Sequence, residues 1–201
     1  MIHPHTELKF ISEEIGYGVV ATKTIPAGTI IWVHDKLDRE FTLQEIQNME
    51  PVYQSVILNY TFRNNKGNYI FCWDNGRFIN HSFKSNCLST AYDFEIAIRD
   101  IQPGEELTDD YGYLNIVEPF RAANEGTKRK MVYPDDLLRY HRTWDKKIAK
   151  VFNKITKLDQ PLKPLIANGT WEKVEKIISG ELQADSVLNN YFDEKQIKST
   201  T

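Results

Sequence analysis

Short runs of alternating apolar and polar residues dominate the first 113 residues of the chain. The alternation predicts a strand at Leu8–Ile11 and, after a glycine turn, a second strand at Gly16–Thr22. Stretches rich in β-branched and aromatic residues predict two more, at Thr29–Val33 and Tyr69–Trp73. A longer alternation at Ser89–Arg99 predicts one half-buried strand. These elements indicate a compact body of short strands.

Turn signals separate these predicted strands. An isoleucine, a proline and a glycine precede a new strand at Ile25–Gly28 and again at Ile101–Gly104. The shared pattern is too short to indicate a repeat, but it fits a body whose corners are similar. Another tight turn is predicted at 74–76, directly before the segment that carries the candidate chemistry.

A helical insertion interrupts the strands at about 42–60. Thr42 and Glu45 have the spacing of a capping box, in which each side chain bonds the backbone of the other residue. Pro51 suits the first position of a second helix, which is predicted to run to about Tyr60.

The composition changes after Tyr113, and a helical C-terminal extension is predicted. Apolar residues recur every three or four positions from Tyr133 to Leu158, with Lys and Arg between them. Two shorter helices are predicted at Trp171–Ile178 and Ala184–Phe192, and the last residues, 198–201, are predicted to fray.

The length of 201 residues and the 41% hydrophobic content indicate one domain, or one domain with an appendage. No apolar run approaches the roughly 20 residues that span a bilayer, and the N-terminus lacks the regions of a signal peptide. We therefore expect a cytoplasmic protein, or a nuclear one if the source is eukaryotic. The two cysteines are not a CxxC pair, so no metal site is predicted and both are expected to be buried. His3, His5, His34 and His141 are expected at the surface.

The net charge of −3 is unevenly distributed. Residues 128–157 hold ten Lys or Arg against three Asp, a balance of +7 that leaves −10 for the rest. An acidic body suits a basic substrate, such as a lysine-bearing peptide. The basic stretch itself fits contact with nucleic acid, but its regular apolar stripe favours a packed helix with a solvated basic face.

Two segments carry a recognisable combination of motifs. The first, residues 77–87, reads Arg-Phe-Ile-Asn-His-Ser-Phe-Lys-Ser-Asn-Cys, and the second, residues 104–112, reads Gly-Glu-Glu-Leu-Thr-Asp-Asp-Tyr-Gly. With the earlier Gly16-Tyr17-Gly18, they resemble the SET domain of protein lysine methyltransferases that use S-adenosylmethionine. The resemblance runs from about Leu8 to Tyr113.

The resemblance implies an α+β, mainly β fold. In it, a β-clip of short strands contains a pseudoknot, which brings the two motif segments to one site. The SET domain would occupy residues 1–118 and the helical extension residues 119–201.

The resemblance also implies the site. Gly16, Tyr17, Gly18, Asn80 and His81, together with Tyr111, would bind S-adenosylmethionine, and Tyr111 would be the catalytic residue. Its hydroxyl would orient the amine, since a phenol with a pKa of about 10 is a weak base at neutral pH. The expected partner is a protein with an exposed lysine, such as a histone-like or other basic protein. Nothing in the sequence indicates the oligomeric state.

Three departures from the family pattern leave parts of this interpretation open. Ser85 stands where the family usually has proline, and Asp109 stands where many members have the Phe or Tyr that limits the number of methyl groups. No cysteine-rich tail follows, so the C-terminal helices or an aromatic residue would have to close the lysine channel, with these candidates: Tyr113, Tyr133 and Trp144. Tyr53, Tyr60, Tyr69 and Tyr92 are interpreted as core or rim residues.

Two alternatives remain beside the enzyme. A catalytically weak or silent SET-like module that binds a basic peptide is favoured by Ser85 and Asp109. The other is a nucleic-acid adaptor that acts through the C-terminal helices. Its affinity for DNA or RNA would have to fall steeply as salt is added.

Overall fold

The computed structural model describes residues 1–193. Its strands are short and form five small sheets rather than one large sheet. In chain order the strands are β1 (Thr6–Ser12), β2 (Gly16–Ala21), β3 (Ile30–Val33), β4 (Arg39–Phe41), β5 (Thr61–Arg63), β6 (Tyr69–Phe71), β7 (Asn80–His81), β8 (Cys87–Ser89), β9 (Phe94–Ala97), β10 (Thr108–Asp109), β11 (Phe120–Arg121) and β12 (Met131–Val132). Strands β1 and β2 form one two-stranded sheet, and β11 and β12 form another. Two three-stranded sheets have the orders β3-β9-β8 and β4-β6-β5, and β7 pairs with β10.

The two similar corners of the sequence pair with each other. Ile25 and Ile101 exchange both backbone hydrogen bonds, each with an N···O distance of 2.9 Å. The two side chains are buried in one apolar cluster, which also contains Val19 and Leu107. The pairing therefore ties β2 to the segment that leads into the second motif.

The prediction of a single strand at Ser89–Arg99 was wrong. The chain reverses after Ser89, and Asp93 takes a φ of +58° between β8 and β9, which pair antiparallel. Phe94 and Ile96 face a core shared with the C-terminal helices, while Ala97 faces the cluster around Val19. Because both faces are covered, all four side chains of β9 are buried.

The helical insertion is confirmed. Helix α1 (Leu43–Gln47) begins at the predicted capping box, in which Thr42 Oγ1 accepts from the Glu45 N–H and the Glu45 carboxylate accepts from the Thr42 N–H. Helix α2 (Pro51–Tyr60) has its proline in the first turn, where the missing N–H costs no helical hydrogen bond. Ile57 is its buried residue, and many of its other apolar side chains are exposed.

The C-terminal part packs on the strands. Helix α3 (Asp136–Phe152) and helix α4 (Asn168–Ser179) bury apolar stripes, and a left-handed Gly180 ends α4. Leu137 and Trp144 lie in the same apolar core as Ile30 and Leu88, so the extension and the strands share a core. The domain boundary after residue 118 therefore stays a prediction.

Two of the helices predicted in the C-terminal part differ from the structure. The first long helix stops at Phe152, and a separate 3₁₀ turn, Ile155–Lys157, carries Ile155 into the core. Instead of a helix at Ala184–Phe192, the chain forms a single 3₁₀ turn at Val187–Asn190. The predicted fraying of 198–201 concerns residues outside the described part of the chain.

Candidate active site

The two motif segments meet at a short parallel pairing between β7 and β10. Asn80 lies opposite Thr108 and His81 lies opposite Asp109. The Ser82 N–H donates to the Asp109 carbonyl at 2.8 Å, which extends the contact by one residue. Segments that are about two dozen residues apart in the sequence are therefore adjacent in space.

The side chain of Asn86 holds this crossing together. Its Nδ2 donates to the Glu106 carbonyl at 2.8 Å, and its Oδ1 accepts from the Thr108 N–H at 2.8 Å. The residue is 1% exposed, so its amide replaces backbone pairing where the strands are too short to supply it. Ser85 before it is also buried, and its N–H donates to the Ser82 carbonyl, a bond that a proline would lack.

The glycine turn at Gly16–Gly18 is hydrogen-bonded to the first motif segment through Asn80. The Asn80 Nδ2 donates to the Tyr17 carbonyl at 3.0 Å and to Glu106 Oε1 at 2.8 Å. A Cβ atom on Gly18 would lie 2.3 Å from Glu106 Oε1 and 2.8 Å from Ile11 Cγ1, so a larger residue would displace these side chains. Gly16 adopts a φ of +80°, and space is open where its Cβ would be.

His81 is oriented by the backbone of Tyr111. The Tyr111 N–H donates to His81 Nδ1 at 3.1 Å, which places the imidazole proton on Nε2. That Nε2 is buried and has no hydrogen-bond partner within residues 1–193. Burial lowers the pKa of His81 below 6.5, so the ring is neutral at pH 7 and offers one N–H donor.

The Tyr111 hydroxyl is held by a backbone carbonyl. It donates to the Ile79 oxygen at 2.6 Å. Burial, together with the nearby carboxyls of Asp109 and Glu95, raises the pKa of Tyr111 far above its usual 10. The phenol therefore stays protonated at physiological pH and acts as an oriented dipole rather than as a base.

Beside Tyr111 lies a cavity of about 610 Å³. Helix α2 and β5 form one wall and the segment 114–118 forms another. The lining is mostly apolar, and its aromatic members include Trp32, Tyr60, Tyr69 and Tyr111. Its charged members are three carboxyl residues and two arginines: Glu95, Asp109, Glu118, Arg63 and Arg77. The other predicted site residues are not part of this lining, whereas Tyr111 is: Gly16, Tyr17, Gly18, Asn80 and His81 lie outside it.

Glu95 and Asp109 form an acidic pair in this lining, with exposed fractions of 7% and 3%. Burial, and then the neighbouring Asp109 carboxyl, raises the pKa of Glu95 well above 4.5. Burial is also the main cause that raises the pKa of Asp109 from 3.8 to about 6. Two buried carboxyls in contact share one proton, so the pair holds about one negative charge at pH 7.

A buried ion cluster attaches Tyr111 to the C-terminal helices. Arg129 pairs with the carboxylate of Asp110 and, at 2.6 Å, with that of Asp136 in α3. Asp110 Oδ1 also caps Gly112, and Asp110 Oδ2 accepts from the Trp144 indole at 3.3 Å. The C-terminal extension thus fixes the turn that begins at Tyr111.

None of the three aromatic candidates for closing the channel lies in the lining of this cavity. Tyr113 and Trp144 are buried in the core, where their rings meet edge to face at 5.6 Å. Tyr133 carries Arg139 on its ring and lies outside the cavity. The aromatic residues that do line the cavity include Tyr60 and Tyr69, which the sequence placed among core or rim tyrosines.

The surface location expected for His3 was also wrong. Its side chain is 3% exposed, and burial lowers its pKa to about 4. Both cysteines are buried and free, as predicted.

Several residues of the site were missed from the sequence. Glu95 had a usable signal, because a carboxylate interrupts the otherwise apolar run of β9. Glu125 accepts from the Ser82 hydroxyl at 2.6 Å and from the Phe83 N–H at 2.9 Å. No local pattern distinguishes Glu125 or Arg129 from ordinary surface charges.

Neither a metal cluster nor a membrane span is found in the described part of the chain. Within residues 1–193, no three His, Cys, Asp or Glu side chains are grouped so that they could hold a metal ion. None of the helices there is long and apolar enough to cross a membrane.

The crossing of the Asn80 segment with the segment that ends in Tyr111, next to a glycine turn, defines a SET domain. The SET domain family model matches residues 16–112, and the chain is a SET-domain protein. SET domains are generally protein lysine methyltransferases, so the match places the chain in a family of methyltransferases. The mainly β, α+β fold inferred from the motifs is thereby confirmed.

Among solved structures, the chain is similar to one from Plasmodium falciparum described as a "putative histone methyltransferase". The two share 18% identity with a TM-score of 0.41, over 55% of this chain and 95% of that chain. Comparison with the curated proteins finds no match.

Proposed function

We propose that the protein transfers methyl groups from S-adenosylmethionine to the side-chain amine of a lysine in a protein substrate. The observation that carries this proposal is the position of Tyr111. Its backbone N–H donates to His81, the residue after the Asn80 that binds the glycine turn, while its ring lines the cavity. A residue so placed lies between a site for a methyl donor and a site for a methyl acceptor.

The groups on the glycine-turn side suit the polar parts of the cofactor. The open space at Gly16 would admit a ligand close to the backbone. His81 Nε2–H is a buried donor without a partner within residues 1–193. Asn80 Nδ2 donates its hydrogen bonds to groups of the protein, so Oδ1 remains as the acceptor for a ligand. An amino-acid group, with an ammonium and a carboxylate, needs one acceptor and one donor of this kind.

S-adenosylmethionine would supply an electrophilic methyl group on a sulfonium. The residues of the chain would have to deliver a neutral amine to it in line. Lysine has a pKa near 10.4, so holding its amine neutral at pH 7 costs about 4.6 kcal/mol. Desolvation between aromatic rings such as those of Tyr60 and Tyr69 favours the neutral form and reduces this cost. The protonated Tyr111 hydroxyl would orient the amine without taking its proton.

A second function, a catalytically weak or silent module that binds a basic peptide, is supported by the acidic pair. Glu95 and Asp109 place a negative charge in the cavity, which favours the ammonium form of a bound lysine over the neutral amine. A protein that only recognised lysine would benefit from the same charge. The two functions differ in whether label from the cofactor reaches the peptide.

The test is Tyr111→Phe, with Tyr133→Phe as a matched control outside the cavity. Removing one oriented hydroxyl at a reacting centre typically lowers turnover by about 10²–10³-fold. We expect a loss of that order in methyl transfer by Tyr111→Phe, with cofactor affinity by calorimetry changed less than about threefold. The control should keep its turnover. Equal turnover of both variants would remove Tyr111 from the mechanism.

A further inference from the structure

Four exposed cations form a row on helix α3 and just beyond its end. They are spaced four residues apart and are called the basic row: Arg142, Lys146, Lys150 and Lys154. Residues four apart lie on the same side of a helix, about 6 Å from each other along its axis. The first three therefore form a line about 12 Å long, and Lys154 follows shortly after the helix ends at Phe152.

The basic row and the apolar stripe of α3 lie on opposite faces of the helix. Leu137, Trp144 and Ile148 are buried in the core that α3 shares with the strands. Because an α-helix has about 3.6 residues per turn, Lys146 and Lys150 lie on the side away from that core. The apolar stripe therefore accounts for the packing of the helix and leaves the basic row unexplained.

No ion pair in the described part of the chain neutralises the basic row. The salt bridges within residues 1–193 include none to its members. The acidic residues at 128–157 bind other groups: Asp135 binds Arg139, Asp136 binds Arg129, and Asp145 binds Ser186 and Val187. The row is thus positively charged and unpaired, in a chain whose net charge is −3.

The basic row disfavours the helix that carries it. Like charges four residues apart repel each other across one turn of a helix. The helix dipole favours a cation in the last turn, which accounts for Lys150 but not for Arg142 or Lys146. An anion bound along the row would remove the repulsion. A bound anion, rather than the packing of the chain, therefore gives the row a physical reason.

The surroundings of the row distinguish between kinds of anionic partner. Between Arg142 and Lys154, all of which the structure describes, no large apolar side chain is exposed. A membrane surface takes up the apolar face of a helix, and that face of α3 is buried in the core. The centre of a protein interface is apolar and poor in lysine, and single strands need aromatic rings on which their bases stack. A line of phosphates needs only spaced cations.

We propose that the basic row binds the phosphate backbone of double-stranded nucleic acid, whatever its sequence. The guanidinium of Arg142 can hold one phosphate through two hydrogen bonds, and the lysines act as point charges. Residues outside 128–157 carry a net charge of −10 and repel a polyanion, which favours contact on the α3 side. This inference goes beyond the proposed function and does not depend on it.

The test is fluorescence anisotropy of a labelled duplex of about 20 base pairs, titrated with the full chain at several salt concentrations. Each phosphate contact contributes about −0.9 to the slope of log K against log [salt]. Four contacts predict a slope of about −3.6, and hence an affinity that falls about 150-fold between 50 and 200 mM KCl. DNA duplexes of two unrelated sequences, and duplex RNA, should bind within about threefold of each other.

The variant that tests the row combines Arg142→Gln, Lys146→Gln and Lys150→Gln, since glutamine suits exposed helical positions. We expect its slope to shrink to about −0.9, with a thermal midpoint no lower than that of the wild type. Its control changes the net charge equally by replacing three exposed lysines elsewhere: Lys23→Gln, Lys36→Gln and Lys66→Gln. The control should keep the slope, with an affinity within about threefold of the wild type. If the triple variant fails to fold, Lys146→Gln alone should reduce the slope by about 0.9.

Several results would overturn the assignment. One is an equal loss of affinity in the two triple variants, which would reflect net charge alone. Another is single-stranded DNA bound as tightly as the duplex, and a third is duplex binding that is absent at 50 mM KCl or insensitive to salt. Tighter binding to phosphatidylserine vesicles or to polyglutamate than to the duplex would assign the row to a membrane surface or to an acidic protein instead.

Discussion

Replacing Asp109 by asparagine should stabilise the free protein, and more so at alkaline pH. Burial raises the pKa of Asp109 from 3.8 to about 6, so the folded state holds its proton over a pH range in which the unfolded chain has lost it. Stability from this group is therefore highest below pH 3.8 and falls as pH rises towards 6. The shift of about two units corresponds to about 3 kcal/mol of destabilisation above pH 6.

Urea unfolding of the wild type and Asp109→Asn at pH 5 and pH 8 measures this effect. Of the total destabilisation by the Asp109 carboxyl, about 1.4 kcal/mol develops between pH 5 and pH 8. The variant's gain in unfolding free energy should be larger at pH 8 by that amount, and the comparison cancels the titrating groups that do not interact with Asp109. Equal m-values in all four experiments are the control for an unchanged unfolded state. A gain independent of pH, or a loss at pH 8, would refute a raised pKa for the buried Asp109 carboxyl.

Two further substitutions test how the site is held. Asn86→Ala should cost about 2–4 kcal/mol in unfolding free energy, because it leaves a buried carbonyl and a buried N–H unpaired at the motif crossing. A loss below about 1 kcal/mol by urea unfolding would show that backbone pairing alone holds the crossing. Arg129→Met should cost about 3–5 kcal/mol, because two buried carboxylates lose their shared partner. A thermal midpoint equal to that of the wild type would contradict this role for Arg129.

The elements that follow local rules were predictable from the sequence. Thr42 with Glu45, and Pro51, act within one helical turn, and their structural roles follow from spacing alone. The motif around Asn80 and the motif ending at Tyr111 could be joined only through the family resemblance. Nothing in either segment by itself specifies a parallel contact between them.

The features that could not be predicted depend on contacts between residues far apart in the sequence. The alternation at Ser89–Arg99 predicts one exposed face, but Ala97 on that face is buried in the cluster of Val19 and Leu107, which lie on other strands and loops of the chain. The burial of Glu95, and its contact with Asp109 from another sheet, could not be predicted for the same reason. Trp144 is an example of the opposite error. The sequence made it a candidate for closing the lysine channel, but it is buried in the core against Tyr113.

The central claim is methyl transfer to lysine, and mass spectrometry of methylated products tests it most directly. A proteome would be incubated with the purified protein and S-adenosylmethionine that carries a deuterated methyl group, in parallel with Tyr111→Phe. We predict deuterated methyl groups on lysine side chains of a small set of proteins with the wild type, and their near absence with the variant. Cofactor binding by the wild type without deuterium on any lysine would contradict the enzyme and leave a module that binds lysine without methylating it.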